Sequence, residues 1–138
     1  MLDLGTIKER LKALEEYVSE LKKYQHLTKE NIESNLGELW KIEHGLQLAI
    51  ECVLDIGNHI IAEENLGSPK TYREIIVILG HKSVVPSELA KEMEGIAGFR
   101  NILIHEYVKV DVNEVYRNLQ KGPKQFEEFI KAIMKYIG

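Results

Sequence analysis

The chain has 138 residues, of which 44% are hydrophobic, and a formal net charge of −4 from 18 Lys and Arg against 22 Asp and Glu. This length favours a single domain spanning residues 1–138 and is sufficient to bury a hydrophobic core without disulfides or metal. The acidic balance argues against a protein that coats long nucleic acids, because such proteins are usually basic, but it leaves room for a nuclease. A nucleic acid substrate must therefore be contacted locally, over a few nucleotides.

The chain shows no sign of export or membrane insertion. Its first residues carry acids and no continuous apolar segment, unlike a secretory signal. The longest purely aliphatic run, residues 75–79, is far shorter than a membrane span. The single cysteine, Cys52, lies in an apolar segment and is predicted to be a small core residue. We expect a soluble, cytoplasmic protein with no membrane association.

The first two predicted helices have regular apolar seams. Spacings of three and four predict a first helix that ends near Tyr24. Thr28 can cap the second, which we predict to continue to about Glu64. Glycines inside it mark either a bend or a close helix contact, and Gly37 is a candidate break point. The two seams are Leu4, Ile7, Leu11, Leu14, Val18 and Leu21, then Leu36, Leu39, Ile42, Leu46, Ala49, Val53, Ile56 and Ile60.

A capping box, T-x-x-E, opens the third predicted helix. Thr71 and Glu74 form this pattern directly before an apolar segment. The helix is predicted from Tyr72 to about Leu79, and Gly80 stops it. The capping box favours helix over strand for this short aliphatic run.

Three more helices are predicted in the second half of the chain. Pro86 suits the first turn of a fourth helix that continues through residue 105. Asp111 caps a short helix that ends at Leu119. Gly122 and Pro123 are predicted to turn the chain into a last helix, Lys124–Ile137.

Short connections between amphipathic helices predict an all-α fold, an antiparallel up-and-down bundle with short additional helices. The second helix also carries apolar residues off its main seam. Either it is the central helix of the bundle, or one of its faces meets another subunit. A twofold homodimer is the natural outcome, because such dimers are the commonest oligomers. The off-seam residues are Trp40, Leu48, Ile50, Leu54 and Ile61.

The segment FRNILIHEYVKVD, residues 99–111, is the best candidate site. It contains Arg100, Asn101 and His105 within six positions, followed by Tyr107. Arginine binds phosphate through a planar fork of donors and stays charged. Histidine exchanges protons near neutral pH. The pairing suits chemistry on a phosphodiester, although the same residues also suit a structural role in which His105 bonds a neighbouring carbonyl.

Helix geometry raises a difficulty for this site. Asn101 and His105 share a face that points away from the core, whereas Arg100 and Tyr107 flank the apolar stripe. On a straight helix Arg100 and His105 are about 140° apart. The Arg100 side chain can curl around, the helix can deform, or two copies of the motif can meet across a twofold axis. We favour the last, since cleavage of RNA without metal needs both a base and an acid.

Other candidates are weaker. The remaining histidines are scattered, and His59 with Glu63 supplies too few ligands for a metal site. No Gly-rich phosphate loop is present, so we expect no cofactor and no metal. Lys124, Lys131 and Lys135 align on the last helix, either as a solvated face or as a guide for RNA.

The segment RNILIHEY resembles the R-x4-H-x-Y motif of the HEPN superfamily, in its HepT toxin branch. The resemblance extends from about Leu39 to Leu119. It includes the segments HGLQLAIECVLDIGNHIIAEENLGSPKTYREIIVILG and VVPSELAKEMEGIAGFRN before the motif and VDVNEVYRNL after it. This length makes it much more specific than the short motif alone.

The resemblance implies an HEPN-like homodimer whose two motifs face a shared cleft. It implies a metal-independent endoribonuclease toxin acting on tRNA or mRNA, with Arg100 and His105 as catalytic residues and Asn101 as their polar neighbour. It also implies an antitoxin, a minimal nucleotidyltransferase of the MntA type that transfers AMP to Tyr107. The alternative is a non-catalytic subunit that binds substrate for, or regulates, a nucleotidyltransferase complex.

Overall fold

The computed structural model describes residues 2–105 and 110–138, and these residues form seven α-helices and no strand. The all-α prediction is confirmed. The helices are α1 (Leu4–Lys22), α2 (Lys29–Glu33), α3 (Leu36–Glu63), α4 (Tyr72–His81), α5 (Ser87–Met93), α6 (Ile96–Ile104) and α7 (Val112–Ile137).

Helix α3 is the central helix of the bundle. It packs against α1, α2, α4, α6 and α7. The off-seam residues Ile50, Leu54 and Ile61 are buried, which confirms the central position, while Trp40 is 62% exposed. By length and composition, α3 alone in the described part of the chain could cross a membrane, but 56% of its most apolar window is buried inside the bundle. These features are typical of a core helix.

The seam of α1 faces this core. Its buried residues are Ile7, Leu11, Leu14, Val18 and Leu21, as the spacing predicts. Asp3 is the N-cap and accepts a hydrogen bond from the Thr6 N–H. The helix ends at Lys22, two residues before the predicted end.

Three predicted N-caps are confirmed: Thr28, Thr71 and Asp111. The side-chain oxygen of each accepts a hydrogen bond from a backbone N–H in the first helical turn. The donors are Asn31 at 3.1 Å, Glu74 at 3.1 Å and Asn113 at 2.9 Å, respectively.

The second predicted helix is interrupted between α2 and α3. The break lies at residues 34–35, close to the candidate break at Gly37. Asn35 leaves the helical conformation, and its Oδ1 accepts a hydrogen bond from the Glu38 N–H at 3.1 Å. Asn35 is therefore a second N-cap, and α3 begins after it as a separate helix.

Gly57 allows α3 and α4 to approach closely. A Cβ at this position would lie 2.8 Å from Cγ2 of Ile75 and 2.9 Å from Cδ1 of Leu79. The close helix contact is therefore confirmed for this glycine. Helix α4 itself ends at His81, two residues later than predicted.

The prediction of one continuous fourth helix was wrong. Helix α5 follows Pro86 but ends at Met93, and α6 begins at Ile96. The Glu94 N–H donates to the Lys91 carbonyl, three residues earlier, which tightens the turn. Gly95 follows, and glycine loses the most conformational entropy in a helix. The break separates α6, which packs on α3 and α4, from α5, which packs on α4 and α7.

The prediction that Gly122 and Pro123 separate two helices was also wrong. Helix α7 contains Pro123. Because proline has no N–H, the Leu119 carbonyl four residues earlier loses its helical donor. The Gln25 side-chain amide replaces it, donating to the Leu119 carbonyl at 3.0 Å and to the Gln120 carbonyl at 3.3 Å. A side chain from another part of the bundle thus allows α7 to continue.

Candidate active site

Helix α6 presents the predicted motif at the edge of the core. Arg100 and Asn101 lie in its second turn, next to the buried Phe99. The helix is held against α3 and α4 by its apolar face. The buried residues of that face are Ile96, Ala97, Phe99 and Leu103.

Arg100 is held by groups from three helices. Its Nη2 lies 3.8 Å from Oε1 of Glu51 on α3, and its side chain is 19% exposed. Its Cζ lies 4.5 Å from the ring centroid of Tyr72 on α4. Its Nη1 donates a long hydrogen bond of 3.4 Å to Oδ1 of Asn101. The prediction that Arg100 is partly buried is confirmed, and the guanidinium is fixed by an ion pair and a cation–π contact.

Asn101 faces solvent, as the helical wheel predicts. It lines a groove of about 640 Å³ between α3 and the start of α4. Tyr72, which contacts Arg100, lines the same groove. The arginine and the groove therefore form one continuous surface.

His105 is exposed and lies at the C-cap of α6, not inside the helix. Its backbone N–H donates to the Asn101 carbonyl at 3.0 Å. Within the described residues its side chain makes no hydrogen bond or ion pair, with Arg100 or with a carbonyl. Because this bond continues the helical i to i−4 pattern, the predicted separation from Arg100 still applies at His105, and the described residues show no contact between the two side chains.

Tyr107, the predicted acceptor of AMP, lies outside the described residues, in the segment 106–109. Its assignment therefore stays a prediction.

Glu51, which contacts Arg100, lies on the same segment of α3 as Cys52 and Asp55. Glu51 also accepts a hydrogen bond from Nε2 of Gln47 at 3.2 Å. Asp55 lies one turn later, and its Oδ2 is 3.9 Å from Nε of Arg10. Burial, and then the nearby Asp55 charge, raises the pKa of the Cys52 thiol to about 11. Cys52 is half-buried and packs against the core, consistent with the predicted packing role and not with a nucleophile.

Sequence reasoning missed Glu51 and Tyr72. Glu51 interrupts an apolar stretch on α3, and that interruption is the only local signal of its role. Tyr72 directly follows a capping residue and gives no local signal at all. Both are paired with Arg100 only by the packing of α3, α4 and α6, which a motif does not encode.

The weaker candidates stay apart from this site. Nε2 of His59 accepts a hydrogen bond from the Asp3 N–H at 3.4 Å, close to the start of α1. Among residues 2–105 and 110–138, no group of three or more His, Cys, Asp or Glu side chains is arranged to hold a metal ion. Lys131 and Lys135 line a groove together with Glu128, as in a solvated face of mixed charge.

Comparison with known proteins identifies the family of this chain. The family model described as ribonuclease HepT-like matches residues 14–133 of this chain. The tRNA nuclease HepT of Aphanizomenon flos-aquae is 29% identical over 131 residues, which cover 95% of this chain and 89% of that protein. Arg100, Asn101, His105 and Tyr107 all lie inside the matched ranges.

Solved structures share the fold. YutE, a cytosolic protein of unknown function from Bacillus subtilis, has a TM-score of 0.85 and 27% identity, covering 99% of this chain and 91% of that one. The tri-AMPylated Shewanella oneidensis HEPN toxin in complex with MNT antitoxin has a TM-score of 0.84 and 22% identity, covering 98% and 99%. The second likeness concerns the fold alone.

Proposed function

The chain belongs to the HepT-like ribonuclease family, and we propose that it is the endoribonuclease toxin of a toxin–antitoxin pair. The observation that carries the proposal is Arg100, held by Glu51 and Tyr72 at the edge of an open groove. Its fixed guanidinium, next to Asn101, suits a phosphodiester lying across the end of α6.

The proposed reaction needs no metal. A base removes the proton from a ribose 2′-hydroxyl, whose oxygen attacks the adjacent phosphorus. The P–O5′ bond breaks, an acid protonates the departing 5′-oxygen, and a 2′,3′-cyclic phosphate forms. His105 exchanges these protons, and Arg100 stabilises the negative charge that accumulates on the phosphoryl oxygens. Asn101 orients the phosphate or the ribose beside them.

We propose a homodimer because one chain offers one such histidine, whereas the reaction uses a base and an acid. Leu36 and Trp40 on α3 are 55% and 62% exposed, and Ile102 on α6 is 50% exposed. Trp40 and Glu51 are eleven residues apart and therefore about 20° apart around α3. The exposed surface of Trp40 therefore lies on the side of α3 that holds Arg100. Its burial between two copies would bring two arginines and two histidines to one cleft.

The proposed antitoxin is a minimal nucleotidyltransferase of the MntA type that transfers AMP to Tyr107. The AMPylated Shewanella oneidensis toxin, in complex with its MNT antitoxin, supports this regulation through the shared fold. Tyr107 is two residues from His105. Each AMP would add bulk and a phosphate charge near Arg100 and compete with RNA.

We propose tRNA as the RNA substrate, since the similar Aphanizomenon flos-aquae protein is a tRNA nuclease. We place the protein in the cytoplasm, where tRNA is available. The cytosolic YutE and the burial of α3 inside the bundle support this placement.

The test is cleavage of purified tRNA in EDTA by the wild type, Arg100→Ala and His105→Ala. We expect products ending in a cyclic phosphate from the wild type, and a loss of about 100-fold or more in kcat for each variant. The matched controls are Arg73→Ala and His81→Ala, whose side chains are exposed and outside the site. Full activity of His105→Ala would refute its role. A protein that binds the nucleotidyltransferase but cleaves no RNA would instead be its non-catalytic subunit.

A further inference from the structure

The groove beside Arg100 has the lining of a nucleobase site. Its volume is about 640 Å³, and it lies between α3 and the start of α4. We propose that it binds one base of the RNA, next to the phosphate that Arg100 contacts; this inference rests on the proposed ribonuclease function. The residues that matter are Leu54, Asp55, Asn58, Tyr72, Ile75 and Asn101.

The floor of the groove is apolar and its rim is polar. Leu54 and Ile75 are buried side chains that belong to the core, and Tyr72 adds an aromatic ring that is 45% exposed. Asn58 and Asn101 contribute exposed amides. A nucleobase has the matching chemistry, because it is planar and uncharged with hydrogen-bonding groups along its edge.

Asp55 gives the groove its selectivity. Its carboxylate accepts hydrogen bonds only, whereas Lys70, which also lines the groove, suits the phosphate next to the bound base. The Arg10 Nε atom lies 3.9 Å away, beyond hydrogen-bonding distance, so the carboxylate oxygens remain available to a ligand. Adenine, cytosine and guanine each carry an exocyclic amino group that can donate to it. The one donor on the pairing edge of uracil, N3–H, is flanked by two carbonyl oxygens that the carboxylate repels, so the groove disfavours uracil.

The groove and Arg100 share their neighbours, which fixes the position of this base. Tyr72 lines the groove and lies 4.5 Å from Cζ of Arg100, and Asn101 lines it and accepts from Arg100 at 3.4 Å. A base in the groove therefore belongs to a nucleotide adjacent to the bound phosphate, not to a distant one.

The test uses single-stranded RNA with six randomised central nucleotides, cleaved in EDTA and sequenced at the new ends. For the wild type, we expect one position beside the cut to disfavour uracil by about 10-fold. In Asp55→Asn and Asn58→Ala this preference should fall to within about 2-fold, with preferences at other positions unchanged. The matched control is Arg10→Ala, which removes the ion pair but keeps the carboxylate and should retain the preference.

A binding experiment separates the nucleobase subsite from the nuclease function. Fluorescence anisotropy measures how His105→Ala and the wild type bind RNA hexamers that differ at that one base. Cleavage without any base preference that depends on Asp55 or Asn58 would overturn the subsite and leave the nuclease intact. Base-dependent binding that needs Asp55, but with no cleavage by the wild type, would overturn the nuclease and support the subsite. Absence of both binding and cleavage would overturn both.

Discussion

The middle of α7 and the end of α6 both depart from regular helical geometry, but the polar groups at the two places differ in whether they have hydrogen-bond partners. In α7, Pro123 removes a backbone donor, and Gln25 supplies a replacement to the Leu119 carbonyl. At the end of α6, His105 is exposed and has no side-chain partner within the described residues. At the first place a side chain of the bundle supplies the missing hydrogen bond, whereas at the second no described residue bonds the imidazole.

This difference separates a structural role from a functional one. A buried or half-buried polar group without a partner destabilises the fold, so the bundle provides Gln25 where the carbonyl needs it. An exposed histidine costs the fold nothing and remains available to a substrate or to a second chain. Arg100 combines both situations, because Glu51 and Tyr72 hold it while its groove stays open.

The largest expected effect on stability is at Gln25. Gln25→Met keeps the length of the side chain but removes the amide, which leaves the Leu119 carbonyl unpaired. We expect the free energy of unfolding in urea to fall by about 1–2 kcal/mol. In a Pro123→Ala background the helix N–H is restored, so the same substitution should cost clearly less. An equal cost in both backgrounds would show that Gln25 and Pro123 are not coupled.

The contrasting control is His105→Ala, measured in the same urea experiment. Because the side chain is exposed, we expect its free energy of unfolding to stay within about 0.5 kcal/mol of the wild type. A loss as large as that of Gln25→Met would mean that His105 is held by the fold, and the contrast between the two regions would disappear.

The sequence predicts what is encoded locally. The seams of α1 and α3 and the N-caps at Thr28, Thr71 and Asp111 depend on residues a few positions apart. The three caps are confirmed, and so are both seams except for their first residues, Leu4 and Leu36, which are exposed. The continuity of α7 depends on a hydrogen bond between residues 94 positions apart, so a local rule for proline gave the wrong answer.

The features of the site likewise divide into those that local sequence predicts and those that depend on the packing of distant segments. Its motif is visible in the sequence, and the partial burial of Arg100 and the exposure of Asn101 follow from helix geometry. The contacts of Arg100 with Glu51 and Tyr72 require the packing of three helices, and spacing within α6 carries no information about that packing. The end of α6 at Ile104 was also missed, because no glycine or proline marks it.

A smaller expected effect tests whether cleavage needs His105 from both chains of a dimer. Wild type and His105→Ala are unfolded together, refolded at equal amounts and assayed for tRNA cleavage. If both histidines of a dimer are needed, only dimers of two wild-type chains are active, and activity should fall to about a quarter. A fall to about half would mean that each chain acts alone. The control mixture of wild type with His81→Ala should keep full activity.

The smallest effect sharpens the account of Arg100. Tyr72→Ala removes the ring 4.5 Å from the guanidinium, whereas Tyr72→Phe keeps it. A cation–π contact at a partly exposed site contributes about 0.5–1 kcal/mol, so kcat/KM for tRNA should fall about 2- to 5-fold in the alanine variant. The phenylalanine variant should stay within about 2-fold of the wild type, since Phe presents a similar ring face. Equal losses in both variants would assign the role to the Tyr72 hydroxyl, and no loss in either would mean that Glu51 alone orients Arg100.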